Sequence, residues 1–255
     1  MNPKAAQARN YVMDLDLPTP PLRKRGEGPD APTIEFSEAR QALVVGSQLT
    51  EFSPNVGADA RSAIADSMLI AQLAANKAAD AAADVFAWYR KYIEVLQKVG
   101  WTVQDMEFQT QQVSDRNLGV HSAIVPVVMA MLGPAIGAAS LVVSVLNGLQ
   151  EMDKNSPWIT MYDRASQHSH GAKFQVGYVD ADATGAPQIN AMCFGIDAKR
   201  TVTQVLFFKF SKDSAELQKA NGKLAMSPAQ LAEARDVIAK RVHPFIADYV
   251  KDLDI

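Results

Sequence analysis

One segment constrains the fold more than any other: about thirty-four residues, 117–150, pass without a formal charge, bracketed by Arg116 and Glu151. Its centre, AIVPVVMAMLGPAIGAASLVVSVL over residues 123–146, is broken at Pro126 and at Gly133-Pro134. Glycine suits a helix stop and proline the first turn of the next helix, so the spacing predicts a helical hairpin over 114–132 and 134–152. A bilayer core of about 30 Å needs about twenty helical residues. Each half offers only about fourteen to eighteen, or roughly 21–27 Å at 1.5 Å per residue. Neither half spans a membrane comfortably, so the expectation is a hairpin buried in the folded state, with any entry into lipid conditional. Val125, Val128, Leu132, Ile136, Leu141 and Val145 are the residues expected to meet lipid.

With 48% hydrophobic and 21% charged residues, the chain can bury a sizeable core. A net charge of −3 argues against nucleic acid as a partner, because neutralising phosphates takes a concentrated basic face. The one basic cluster, Arg23-Lys24-Arg25, lies in a proline-rich tail. Residues 1–33 carry Pro3, Pro18, Pro20, Pro21, Pro29 and Pro32 and read as an extended arm that could pack on the body or on a second copy. No secretory apolar core is visible near the start, which implies synthesis in a cytoplasm.

Residues 34–255 read as a single domain, mainly helical over 34–156. A short helix or strand is expected over 38–49. Apolar residues at spacings of three and four over 58–99 predict one long helix or two end to end, with the alanine-rich 74–83 at its centre and Gly100 at its stop. An extended piece follows over 101–112. Beyond Pro157, alternating runs at 173–182, 188–197 and 201–211 predict an antiparallel meander, with a fourth short strand at 223–226. Ser227-Pro228-Ala229-Gln230 is a strong helix start, and Pro244 should break the helix before it resumes to Val250. The fold class expected is α+β: a helical bundle with a long alanine-rich helix and a buried apolar hairpin, packed on a small antiparallel sheet and followed by a C-terminal helix.

The lone cysteine, Cys193, rules out an intramolecular disulfide. Strand alternation puts Met192, Phe194 and Ile196 on one face and Ile189, Ala191, Cys193 and Gly195 on the other. Small residues beside a thiol, with Val205 and Phe207 from the next run, could floor a groove for a fatty acyl chain. Equally, the thiol could be a small core hydrophobe. A cysteine nucleophile would need a cationic neighbour. His168 and His170 are the candidates, but they sit in a polar loop, and with Asp163, Asp180 and Asp182 they match no metal-ligand spacing. No phosphate loop, nucleophile elbow or zinc-protease helix is present. The expectation is a protein that is not an enzyme and holds no metal or dissociable cofactor.

The outline, with VFAWYRKYIEVLQKVGW closing the long helical region, the uncharged hairpin and AMCFG at the lone cysteine, resembles the Erwinia virulence factor Evf family over about residues 35–255. That resemblance implies an α/β fold without catalytic machinery, palmitate in thioester linkage at Cys193, and a virulence role exerted at membranes. It also implies a bacterial protein, made in the cytoplasm and exported by a signal-independent route. One acyl chain gives only marginal anchoring, so the hairpin would supply the second apolar element. The competing expectation is a soluble self-assembling or apolar-ligand-binding protein, a homo-oligomer through its arm, with a purely structural cysteine.

Overall fold

The computed structural model describes residues 3–21, 34–37, 39–111, 118–168, 170–198, 201–210 and 215–253. The Arg23-Lys24-Arg25 cluster and the start of the expected hairpin at 114–117 lie outside them.

The chain begins not as an extended arm but as helix α1 (Pro3–Asp14). Pro3 sits where a helix tolerates proline. Val12 and Leu15 are buried, and Arg241 donates to the carbonyls of Met13 and Leu15, fixing the segment on its own chain. Strands β1 (Gln41–Val45) and β2 (Gln48–Phe52) then form a tight hairpin. Its turn needs glycine twice over: Gly46 has φ of +58°, and a Cβ there would lie 2.3 Å from Gln72 Oε1.

Helix α2 (Ala58–Ala78) and helix α3 (Val85–Val99) divide the long helical region. The alanine-rich run is therefore not the middle of one helix; it contains the break. Asp80 folds its carboxylate onto the Ala82 amide, and Asp84 caps α3 by accepting from Phe86 and Ala87. Local side-chain bonds of this kind outcompete helix propensity. Gly100 closes α3 with φ of +117°, as expected. Short strands β3 (Thr102–Gln104) and β4 (Gln109–Gln111) follow.

The uncharged region forms helices α4 (Val120–Leu132), α5 (Pro134–Ala139) and α6 (Leu141–Gly148), then a 3-10 turn at Leu149–Glu151. The second arm is thus split at Ser140, whose hydroxyl caps α6 through the Val143 amide. Helix α7 (Pro157–Ser166) leads to strands β5 (Gln167–His168), β6 (Gly171–Ala181), β7 (Pro187–Ala198) and β8 (Ala215–Ala225). The meander is real, but its third strand is β8. The expected strand at 201–211 is an irregular segment over its described residues 201–210, and the expected short strand at 223–226 is the end of β8. Val202, Val205, Leu206, Phe208 and Phe210 are buried, while turn bonds to Gln204 and Val205 curl the chain. Helix α8 (Pro228–Val242) starts at Ser227 as expected, a 3-10 turn follows at His243–Phe245, and only one further helical turn, α9 (Ile246–Tyr249), precedes strand β9 (Val250–Asp252).

The strands join in one nine-stranded sheet among the described residues, ordered β3-β8-β7-β6-β2-β1-β9, with β4 on β8 and β5 on β6. Every pairing is antiparallel except β2 with β6. The fold is α+β, with helical layers on both faces. Along β7, Ile189, Ala191 and Cys193 meet the α2–α3 layer, whereas Met192, Phe194 and Ile196 meet the α4–α6 layer. The alternation expected from the sequence holds.

Candidate functional site

The α4–α6 hairpin lies against the sheet face opposite Cys193. Its inward side is apolar: Ile124, Val128, Leu132, Val142, Val145 and Leu146 are buried with Val44, Leu49 and Phe174. Of the residues expected to meet lipid, Val128, Leu132 and Val145 thus point into the core, and Val125, Ile136 and Leu141 are half-buried. The outward surface is instead made by Pro126, Met129, Ala130, Ala135, Ala138 and Ala139. Met129, 38% exposed, is its largest side chain. The two arms approach closely because residue 137 is glycine: a Cβ there would come within 3.3 Å of Met129 Cα.

Two devices hold this layer to the body. At the start of α4, the amides of Val120 and His121 donate to the carbonyls of Phe208 and Leu206, and His121 Nδ1 lies 2.8 Å from the Leu206 oxygen. The irregular 201–210 segment therefore acts as the seat of α4. At the break before α6, Glu51 of β2 reaches across from the sheet. Its Oε2 accepts from Ser140 Oγ at 2.5 Å and from the Val142 amide at 3.2 Å. Arg40 stands 3.6 Å from the other oxygen and donates to the Ala139 carbonyl. Glu51 is 1% exposed, so its carboxyl oxygens meet these partners rather than water. Sequence reasoning missed it; the signal was a carboxylate within QLTEF, a strand with every residue buried.

Cys193 is 1% exposed, at the centre of β7 and opposite Gln175 and Ala220. Burial pushes its thiol well above the usual range, away from the thiolate that nucleophilic chemistry requires. Ala191 and Gly195 do flank it on the same face. A Cβ at Gly195 would meet Val85 at 3.5 Å, an ordinary van der Waals contact, so Val85 covers the strand on that side. Val205 and Phe207 belong to the opposite layer, with Phe207 beside His121 and under Lys154. The four residues expected to floor one groove are thus divided between two faces, because 201–210 does not pair with β7.

Above Cys193 the face is organised by VFAWYRKYIEVLQKVGW. Trp88 stacks on Tyr92 with ring centroids 5.4 Å apart. The Tyr89 hydroxyl lies 2.9 and 2.8 Å from the carbonyl oxygens of Phe174 and Phe194 and accepts from Gln175. Burial, with the neighbouring thiol adding to it, raises the hydroxyl further above its ordinary range. Gln72 accepts from both the amide and hydroxyl of Ser47 and donates to the Val45 carbonyl.

No protein-family model and no curated protein matches the chain. Among solved structures, a delta-endotoxin shares 14% identity over 82% of this chain and 91% of its own, with a TM-score of 0.39. Evf virulence factor shares 12% over 86% of each chain, with a TM-score of 0.32. Activated Cyt2Ba monomer from Bacillus thuringiensis subsp. israelensis shares 14% over 53% of this chain and 79% of its own, at 0.29. The likeness to Evf expected from the sequence is thus present only weakly. At these values the similarities assign neither a family nor an activity.

Proposed function

We propose that this is a non-enzymatic, toxin-like protein that associates with membranes, and that the α4–α6 hairpin is its lipid-facing element. The observation that carries the reading is the hairpin's outer surface. It is a two-armed, charge-free patch of Pro126, Met129, Ala130, Ala135, Ala138 and Ala139, with turns at Gly133 and Ser140, on a layer fastened chiefly at its two ends. Uncharged contiguous surface of this kind marks interaction sites. Among the described residues no helix is long and apolar enough to cross a membrane. The proposal is accordingly for a hairpin that lies in the interface rather than one that spans, its area of contact growing if the Glu51 bond opens.

Vesicle flotation tests this directly, using zwitterionic and anionic vesicles at neutral and mildly acid pH. The wild-type chain should float, and Met129→Glu should lower the bound fraction about tenfold. That exposed substitution should change stability by no more than about 0.5 kcal/mol. Absence of flotation under every condition, or equal flotation of the variant, would overturn the reading.

A second reading takes support from the burial of Cys193: a soluble assembly or apolar-ligand-binding protein with a structural thiol. It predicts the mass of the bare chain in protein from its native host, unchanged by hydroxylamine, and an oligomer that shrinks when residues 1–33 are removed. The acylated form predicts a hydroxylamine-labile mass increment, and it requires Val85, Tyr89 and Tyr92 to make room on the cysteine's face.

A further inference from the structure

A cavity of about 500 Å³ opens where the end of α2, the end of α7 and the first residues of β6 meet, remote from the hairpin's outer surface. Lys173 and Trp88 lie at its base, with His168, Lys77, Asp80 and Arg164 on its walls. Lys173 is only 5% exposed. Its Nζ stands 4.4 Å from the centroid of the Trp88 ring and donates to the Ala165 carbonyl at 2.7 Å. No carboxylate pairs with it among the described residues. Among the described residues neither buried ring nitrogen of His168 has a hydrogen-bond partner. The imidazole fits because residue 171 is glycine: a Cβ there would approach its Cε1 to 2.6 Å.

A buried amine over an indole, without a counter-ion and beside an unpartnered imidazole, is an expensive arrangement for a core that needs only shape. Burial pushes the amine down to about 7, against an ordinary value of 10.5, which favours the free base. His168 is pushed down as well, first by burial and then by Lys173. A free-base lysine in a pocket is the group that condenses with carbonyls.

We propose that Lys173 is a nucleophilic amine for a small carbonyl compound bearing an anionic group, bound in the cavity between α2, α7 and β6. The Nζ lone pair attacks the carbonyl carbon, and the carbinolamine formed loses water to give an imine. The two hydrogens of the amine leave with the carbonyl oxygen, and nothing is oxidised or reduced. His168 lines the same cavity, with its imidazole packed over Gly171. Among the lining side chains the cations Lys77 and Arg164, the latter also 3.6 Å from Asp248, outnumber the one carboxylate, Asp80, and that balance points to an anionic ligand.

Pyridoxal 5′-phosphate and pyridoxal serve as probes on the full-length chain near pH 7, with borohydride reduction and peptide mapping. Lys173 should be trapped at least about tenfold faster than exposed lysines such as Lys98, because a desolvated amine is the better nucleophile. The phosphorylated aldehyde should react several-fold faster than pyridoxal, with the fold followed by circular dichroism. Lys173 left unmodified, or modified no faster than exposed lysines, would overturn the proposal. Equal rates for the two aldehydes would overturn the anionic class.

Discussion

The two helical layers rest on the same sheet but are fastened in different ways. The α2–α3 layer is joined to it through buried directional bonds: Gln72 to Ser47 and Val45, Tyr92 to Gln48, and Tyr89 to the strand carbonyls and Gln175. Each has a single geometry that satisfies it, so this layer has one position. The α4–α6 layer buries a comparable run of aliphatic side chains, yet its middle meets the sheet through packing alone. Hydrophobic contact is non-directional and tolerates sliding or departure in a way that a bonded network does not. Among the described residues, the seat of α4 and the Glu51 contact are the directional bonds that give that layer a fixed register. The difference separates the scaffold of the molecule from the part suited to change its surroundings.

The strongest way to break that contrast is Glu51→Ala, which removes the carboxylate shared by Ser140, the Val142 amide and Arg40. Loss of a buried charged hydrogen-bond acceptor should cost about 3 kcal/mol in urea unfolding. Hydrogen exchange should accelerate through α4–α6 and leave α2 and α3 protected. Equal loss of protection on both faces would show that the layers do not part independently.

A second test lies on the fastened face. Burial pushes Asp66 of α2 up to about 7 from 3.8. The native state therefore holds a proton that the unfolded chain gives up between about pH 4 and 7. Stability from this group rises as pH falls through that window and is lost as pH climbs through 7. Asp66→Asn should remove that slope and be more stable than wild type by up to about 4 kcal/mol at pH 8, with little difference near pH 4. Denaturant midpoints across pH measure it. A slope that survives the substitution would assign it to another buried carboxyl, such as Asp163 beneath the hairpin side, also raised by burial, to about 6.

The smallest effect sharpens the comparison at one atom. Tyr89→Phe keeps the ring against Trp88 and Tyr92 but strips the hydroxyl from the Phe174 and Phe194 carbonyls, and should cost about 1 kcal/mol. Exchange should then quicken in α3 and the centres of β6 and β7 while the hairpin stays as in the wild type.

Several of these features are legible in the order of residues alone. Gly100 and Ser227 act through bonds to residues a few positions away, and such local chemistry is visible in a single sequence. The charge-free hairpin and the two faces of β7 are legible because periodicity and composition survive any tertiary arrangement. Other features are not. The break at Ser140 becomes an anchor because Glu51, 89 positions earlier, lies opposite it. Lys173 is hidden in a run that alternates correctly for a strand, and its phase with Gln175 and Gly177 on a face expected to be covered is the one available signal.

Residues 201–210 show most clearly where local reading ends. Apolar side chains in both phases suit a strand covered on two sides, and nothing in TVTQVLFFKF itself forbids one. The position beside β7 is taken by β8, which pairs with β7 along its length, so the same apolar residues seat α4 instead. Residue order suffices to say which segments are apolar, where most helices begin, and which strand residues share a face, because these depend on neighbours along the chain. Which strand lies beside which, which carboxylate meets which helix end, and whether Cys193 faces a groove or a packed wall depend on contacts across long separations. Those contacts are settled only when the whole sheet forms and each edge takes the partner that satisfies its backbone bonds.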